Sequence, residues 1–235
     1  MKLLAIDTAT EACSAALVID GDLRSRYAVE PRGHSRLLLP MLDELLAEAG
    51  ISAAQLDGLA FGRGPGSFVG LRIGAGMAQG IAFARGLPVA PVSTLATIAR
   101  RRWRDAGRGR CRVLVAIDAR MGEVYWGAFE VGDDGQPRAL LDECVSPPQA
   151  VPLPPRDGRP GDGWLAAGTG WGSYAEVLAA RCDAVCAEWD GELLPHAEDL
   201  LAMGEAMLAR GEGVDAALAQ PVYLRDRVAE KSPRR

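Results

Sequence analysis

Apolar runs separated by polar turns predict a regular order of strands and helices along the first hundred residues. The run Leu3-Leu4-Ala5-Ile6 and the segments 13–19 and 23–29 predict three strands, the last two joined by a tight turn at Asp20-Gly21-Asp22. The elements predicted after them are a helix over 35–49 capped by Ser35, a strand over 56–61, a long helix over about 68–85, a strand or extended segment over 87–92, and a helix capped by Ser93 that reaches about residue 104.

The same order begins again near Gly107-Arg108-Gly109-Arg110. The predicted elements are strands at 113–118, 123–131 and 140–145, a Pro- and Gly-rich loop at 146–163, a strand at 164–167, and helices at 173–182 and 196–210. Two halves of similar element order predict an internally duplicated α/β fold with a cleft between its lobes. We expect one lobe over 1–106 and a second over 107–235, whose C-terminal tail is free to pack back on the first.

The charge of the chain bears on whether it binds nucleic acid directly. The net charge is −5, and nucleic-acid affinity comes largely from neutralised phosphates, so this chain is not expected to be the main contact with RNA. One segment is basic, and its arginines are Arg100, Arg101, Arg102, Arg104, Arg108, Arg110 and Arg112. Two interpretations stay open, a solvated helix end that runs into a linker, or a patch that faces RNA.

Three features of the sequence bear on the cellular compartment and on metal binding: the N-terminus, the cysteines and the histidines. No apolar run approaches the about 20 residues of a membrane span, and the N-terminal run is too short for a signal peptide, so we expect a cytoplasmic protein that does not enter membranes. The five cysteines are interpreted as reduced thiols, with Cys182 and Cys186 as the only metal candidates among them. His34 and His196 lie on separate segments, so no metal-binding histidine pair is predicted.

Two polar segments form a candidate nucleotide site. Asp7-Thr8-Ala9-Thr10 follows the first strand. Gly64-Pro65-Gly66-Ser67 precedes the long helix, with Ser67 as its predicted N-cap, and the N-terminus of that helix favours an anion. In sugar kinases and actin-like ATPases the first turn usually carries Gly where Ala9 stands, which lets backbone amides approach a phosphate. The predicted set is therefore vestigial, and its members are Asp7, Thr8, Thr10, Gly64, Gly66 and Ser67. No catalytic residue is assigned.

Two helices have more apolar or small surface than one core requires. The apolar arc of the helix at 35–49 spans roughly 200°, about twice what a helix docked on one core needs. Gly70/Gly74 and Gly76/Gly80 repeat at a spacing of four, which suits close approach of another backbone, either a partner's or that of the chain's own sheet. The predicted partner interface consists of Leu38, Leu39, Met41, Leu42, Leu45, Leu46, Gly70, Arg72, Ile73, Gly74, Met77, Ala78 and Ile81.

These motifs together resemble those of the TsaB (YeaZ-like) family. The resemblance rests on Leu4-Ala5-Ile6-Asp7-Thr8, His34-Ser35 with Leu38-Leu39-Pro40, Gly64-Pro65-Gly66-Ser67-Phe68, Gly70-Leu71-Arg72-Ile73-Gly74, Asp118-Ala119-Arg120 with Glu123-Val124-Tyr125, and Pro221-Val222-Tyr223-Leu224-Arg225-Asp226. Val69 stands where the family pattern has Thr. The resemblance implies two tandem actin/sugar-kinase-like (ASKHA) lobes, each a mixed sheet flanked by helices.

The resemblance also implies a function. Family members act as non-catalytic subunits in forming threonylcarbamoyladenosine next to the anticodon of tRNAs that read codons beginning with adenine. They pair with the catalytic paralogue TsaD, recruit the ATPase TsaE, meet tRNA through that complex and form homodimers when alone. No cofactor is expected in this chain, because TsaE uses the ATP and TsaD holds the metal. The alternatives are a stand-alone ASKHA-type kinase or ATPase, and a glycoprotease-like peptidase.

Overall fold

A computed structural model describes residues 1–107, 109–154, 163–182 and 186–225 of the chain. The elements of the first half are β1 Lys2–Asp7, β2 Ala12–Ile19, β3 Asp22–Val29, α1 His34–Glu48, β4 Gly58–Gly64, α2 Phe68–Arg85, β5 Val89–Ser93 and α3 Thr94–Asp105. The elements of the second half are β6 Cys111–Asp118, β7 Val124–Val131, β8 Pro137–Ala139, β9 Cys144–Ser146, β10 Trp164–Ala167, α4 Thr169–Arg181, β11 Cys186–Asp190 and α5 Ala197–Ala209.

The first sheet is mixed, with the strand order β3-β2-β1-β4-β5. β2 runs antiparallel to both β1 and β3, whereas β4 runs parallel to β1 and to β5. In this register Ile6 lies beside Phe61. Because parallel strands end at the same edge of a sheet, the turn after β1 and the glycine loop after β4 meet there.

The second sheet repeats this arrangement with the order β11-β10-β6-β7-β8, and β9 pairs separately with β7. β6 and β7 are antiparallel, and β10 is parallel to β6 and to β11. The predicted architecture, two tandem lobes that each consist of a mixed sheet flanked by helices, is confirmed.

Apolar side chains cover both faces of the first sheet. One core cluster joins β1, β2 and β4 to α1 and α2, and a second joins the opposite face to α5, which lies late in the sequence. A further cluster joins α3 to β6 and β7 of the second sheet. α3 thus follows the first sheet in sequence and packs on the second, whereas α5 returns to the first.

Several predicted boundaries differ from those in the structure. α1 is preceded by Gly33 without a side-chain cap, so the prediction of Ser35 as the cap is wrong. The strand predicted at 140–145 is wrong as well, since β8 and β9 lie on either side of most of that segment, and β11 was missed. The caps Ser67 and Ser93 are confirmed, because each hydroxyl accepts an N–H of the first turn of its helix.

Candidate functional site: an interlobe cleft and an exposed helix face

A cleft of about 660 Å³ opens between the two halves of the chain. Its walls are the turn after β1, the glycine loop before α2, the turn between β6 and β7, and residues 222–225. A cavity of this volume is large enough for a small ligand. Which polar groups face it therefore decides what the cleft can bind.

The Asp7 carboxyl does not line this cleft. Asp7 is fully buried, its Oδ1 accepts the N–H of Ala9 at 3.0 Å, and its Oδ2 has no hydrogen-bond partner in the described parts of the chain. A Cβ added to Gly62 would lie 2.2 Å from that Oδ2. Burial raises the pKa of Asp7 to about 7. The carboxyl is enclosed beneath the turn, next to the backbone of β4.

The hydroxyls of the candidate nucleotide set bind the chain itself. The Thr8 hydroxyl donates to the Gly70 carbonyl at 2.7 Å, and the Thr10 hydroxyl accepts the N–H of Ala12 at 3.2 Å. The Ser67 hydroxyl accepts the Gly70 N–H at 3.3 Å. The two segments do meet, as the motifs predict, but they meet through hydrogen bonds to each other.

The glycine loop lies directly on the turn after β1. The Ser67 N–H donates to the Ala9 carbonyl at 2.7 Å, and a Cβ added to Gly66 would lie 2.1 Å from that same oxygen. Gly64 has φ +104° and lies against the carbonyl of Val222. The Ser67 amide, the N-cap amide at the start of α2, is therefore already occupied by a backbone carbonyl.

Several charged groups around the cleft form pairs. Arg120 contacts Asp118 at 3.1 Å and reaches across the cleft to Glu11 at 3.3 Å. Arg225 contacts Glu123 at 2.5 Å. Glu11 was absent from the sequence analysis, and no signal in its own segment pointed to it. Within the described parts of the chain no group of three or more His, Cys, Asp or Glu side chains is placed to hold a metal ion.

The inner face of α1 belongs to the chain's own core. Leu38, Leu42 and Leu45 are at most 2 % exposed, and Met41 is also buried. They share one cluster with Ala75, Ala78 and Ala82 of α2 and with β1, β2 and β4. The interpretation of Leu38, Met41, Leu42 and Leu45 as a partner surface is therefore wrong, because these side chains are buried in the core that α1 forms with the first sheet and α2. Leu39 is half exposed, and Leu46 packs partly against the core.

The two glycine pairs of α2 face opposite ways. A Cβ added to Gly70 would lie 2.0 Å from the Thr8 carbonyl, and one added to Gly74 would lie 2.5 Å from the Thr8 hydroxyl. A Cβ added to Gly76 or Gly80 would meet none of the described atoms within 4 Å. Gly70, Gly74 and the buried Ala78 are thus internal contacts, which corrects their assignment to the interface.

The outer face of α2 forms a shallow apolar groove. Its lining residues are Ala53, Gly76, Met77, Gly80, Ile81, Ala84 and Arg85. Arg72 is exposed beside it, and Ile73 is half-buried. Val69 and Phe83, 64 % and 83 % exposed, extend the same face and were missed by the sequence analysis. The sequence signal for these two residues is the seven-residue spacing of Val69, Gly76 and Phe83, which places all three on one side of the helix.

The arginines of α3 contact the chain itself. Arg101 donates to the Leu194 carbonyl at 2.8 Å, and Arg102 pairs with Glu188 at 2.7 Å. Arg104 contacts Glu198 and the buried Asp199, and Arg100 donates to the Gly135 carbonyl. These contacts support the structural interpretation of the basic run over the RNA-facing one. Arg108, Asp226 and the side chain of Cys186 lie outside the described residues.

Comparison with known protein sequences finds a matching family model and relatives that align over nearly the whole chain. Residues 28–232 match the family model described as TsaD, tRNA N6-adenosine threonylcarbamoyltransferase. The chain is 45 % identical to the tRNA threonylcarbamoyladenosine biosynthesis protein TsaB of Escherichia coli over 98 % of this chain and 97 % of that one. It is 37 % identical to the protein of the same name from Haemophilus influenzae, over 98 % and 96 % of the two chains.

A solved structure has the same fold. YeaZ from Pseudomonas aeruginosa superimposes with a TM-score of 0.86 and 49 % sequence identity, covering 95 % of this chain and 99 % of that one. Among the described residues no helix is long and apolar enough to cross a membrane.

Proposed function

The chain belongs to the TsaB family, and from this premise we propose that it is a cytoplasmic, non-catalytic subunit for threonylcarbamoyladenosine formation in tRNA. The observation that carries the proposal is the 45 % identity to a TsaB protein over nearly the whole of both chains. In this role the chain is a dimerisation platform for the paralogue TsaD and for the ATPase TsaE. It forms a homodimer when alone, and tRNA binds through the complex.

The matched family model describes a transferase, whereas the role proposed for this chain is non-catalytic. The non-catalytic role is supported by the internal contacts of the candidate nucleotide set. Asp7 is enclosed, the Ser67 amide is bound to the Ala9 carbonyl, and the Thr8 hydroxyl is bound to Gly70. A phosphate would have to displace these internal hydrogen bonds, each of which is costly to leave unmade.

The platform part of the proposal is supported by the outer face of α2. Gly76 and Gly80 leave its backbone open to close approach, and Val69 and Phe83 supply exposed apolar surface on the same side. Exposed apolar patches of this kind mark interaction sites. The proposed interface therefore keeps six residues of the predicted set and adds four. Those kept are Leu39, Leu46, Arg72, Ile73, Met77 and Ile81, and those added are Val69, Gly76, Gly80 and Phe83.

Reconstituted tRNA modification tests this function. Purified TsaD, TsaE, tRNA and threonylcarbamoyl-adenylate should form the modified nucleoside when this chain is present and fail to do so when it is omitted. The isolated chain should release no phosphate from ATP above a blank. Full modification without the chain would refute the subunit role, and ATP hydrolysis that is lost on Asp118→Asn would refute the non-catalytic role.

A further inference from the structure

The segment 221–225, called the strap below, crosses the mouth of the cleft. On the first half of the chain, the Val222 N–H donates to the Arg63 carbonyl at 2.7 Å. The Tyr223 ring lies 5.5 Å from the Phe68 ring at the start of α2. Just before the strap, the Ala219 carbonyl accepts the Gln79 amide of α2 at 3.0 Å. The first half thus holds the strap at several points along α2 and β4.

Arg72 fixes the middle of the strap. Its guanidinium lies 3.6 Å from the centre of the Phe68 ring, and its Nε donates to the Tyr223 hydroxyl at 3.2 Å. A cation over an aromatic face and a charged donor to a hydroxyl both favour one geometry of the two rings. Arg72 therefore positions Tyr223, and Tyr223 positions the residues that follow it.

The far end of the strap is held by the second half of the chain. Arg225 donates to the Glu123 carboxylate at 2.5 Å and to the Arg120 carbonyl at 3.4 Å. Both charged side chains of the Arg225–Glu123 pair are partly withdrawn from solvent. A charged hydrogen bond in such a place is among the stronger contacts that a protein makes.

The turn that Arg225 holds has a strained backbone. Arg120 and Met121 have φ of +63° and +57°, in the left-handed region that side chains other than glycine seldom adopt. Such a conformation persists only where surrounding contacts hold it. The bonds from Arg225 are contacts of this kind, so the shape of this cleft wall depends on the end of the strap.

We propose that the strap is a clamp across the interlobe cleft, through which Arg72 on α2 and Glu123 in the turn between β6 and β7 act as one unit. Arg72 also lies on the outer face of α2. On the proposed function, on which this inference rests, a partner that covers this face changes the strength of the contacts that hold the strap. The shape of the cleft on the other side of the strap changes with them. The strap is in this way the mechanical link between the partner surface and the cleft.

Hydrogen exchange in the full-length free chain tests the clamp. The reporter amides are Val222 in the strap and, in the turn, Ala119 and Glu123, which bond to the carbonyls of Glu123 and Arg120. Arg72→Gln should speed exchange in the turn roughly tenfold, the factor expected for losing one charged hydrogen bond. Glu123→Gln should speed exchange of the Val222 amide by a similar factor. The conservative Tyr223→Phe, which removes only a hydroxyl, should reproduce part of the Arg72→Gln effect.

The control is Arg36→Gln, which breaks an exposed ion pair with Glu30 elsewhere in the first half and should leave all the reporters unchanged. Faster exchange in the turn on Arg72→Gln and Tyr223→Phe, but not on Arg36→Gln, supports the clamp. Exchange in the turn that stays at the parent rate in both Arg72→Gln and Tyr223→Phe overturns it. Because the measurement needs no partner, its reading does not depend on whether TsaD binds α2.

Discussion

α2 carries two pairs of glycines at the same spacing, and the pairs have opposite roles. Gly70 and Gly74 lie on the Thr8 backbone and hydroxyl with no room for a methyl group, whereas Gly76 and Gly80 face open space. The inner pair lets the turn after β1 pack on α2, which encloses the nucleotide set. The outer pair leaves backbone exposed at a cost in helix propensity, and no contact within the described parts of the chain offsets that cost. A cost of this kind is expected where another surface has to approach closely.

The largest expected effect is at the inner pair. Gly70→Ala should lower the free energy of unfolding by at least about 4 kcal/mol, because the new methyl group would overlap the Thr8 carbonyl and the rigid backbone around it has to shift. Urea unfolding measures the change, and Gly80→Ala in the same helix is the matched control. Equal stability of the two variants would remove the distinction between the inner and the outer face.

The enclosed state of Asp7 predicts a pH dependence. Because the pKa of Asp7 is raised, its carboxyl between about pH 4 and pH 7 is protonated in the native state but ionised in the unfolded chain. The free energy of unfolding therefore falls as the pH rises through that window. Asp7→Asn has no such titration. From pH 4 to pH 8 its stability should gain up to about 4 kcal/mol relative to the parent.

Urea unfolding of parent and Asp7→Asn at several pH values measures that gain, with the exposed Asp43→Asn as control. A stability difference between Asp7→Asn and parent that stays constant from pH 4 to pH 8 would show that the carboxyl is ionised and solvated. That outcome would return Asp7 to the cleft as a candidate ligand.

At the outer pair, the expected loss is in association rather than in folding. Gly80→Leu should weaken binding to TsaD about 100-fold, since the side chain fills space that a partner helix would need, while thermal unfolding of the free variant stays at or above that of the parent. Calorimetry measures the affinity. Gly109→Leu is the matched control, because its added Cβ also meets nothing within 4 Å but lies in a loop far along the chain.

The smallest expected effect is a gain in stability. Gly76→Ala should raise the free energy of unfolding of the isolated chain by about 1 kcal/mol, the difference in helix propensity between the two residues. Thermal or urea unfolding of dilute protein detects it. A loss of stability instead would mean that Gly76 contacts the chain itself and that the outer face is smaller than proposed.

Local signals in the sequence predicted local structure well. Ser67 and Ser93 were predicted as helix caps, and both hydroxyls accept backbone N–H groups there. The turn after β1 and the glycine loop were predicted to form one site, and they meet because β1 and β4 are parallel strands that end at the same edge of one sheet. The caps rest on contacts within one turn of helix, and the two motifs each follow directly after a strand.

Predictions of which surface is exposed were less accurate. Leu42 belongs to the predicted partner interface, but it is 2 % exposed because it lies in the core cluster that α1 forms with the first sheet and α2. The spacing that links Gly70 to Gly74 also links Gly76 to Gly80, so spacing alone could not separate the inner pair from the outer. Glu11 and Arg120 meet across the cleft from positions 109 residues apart, and no local pattern encodes such a contact.

The central claim is that this chain acts through the outer face of α2 and not through chemistry at the enclosed nucleotide set to which Asp7 belongs. Reconstituted threonylcarbamoyladenosine formation, compared among the parent, Gly80→Leu and Asp7→Asn, tests it most directly. The claim predicts that Gly80→Leu, although folded, supports little or no modification at protein concentrations where the parent saturates, and that Asp7→Asn supports the full level. Modification that survives Gly80→Leu but is lost in a folded Asp7→Asn protein would contradict the claim.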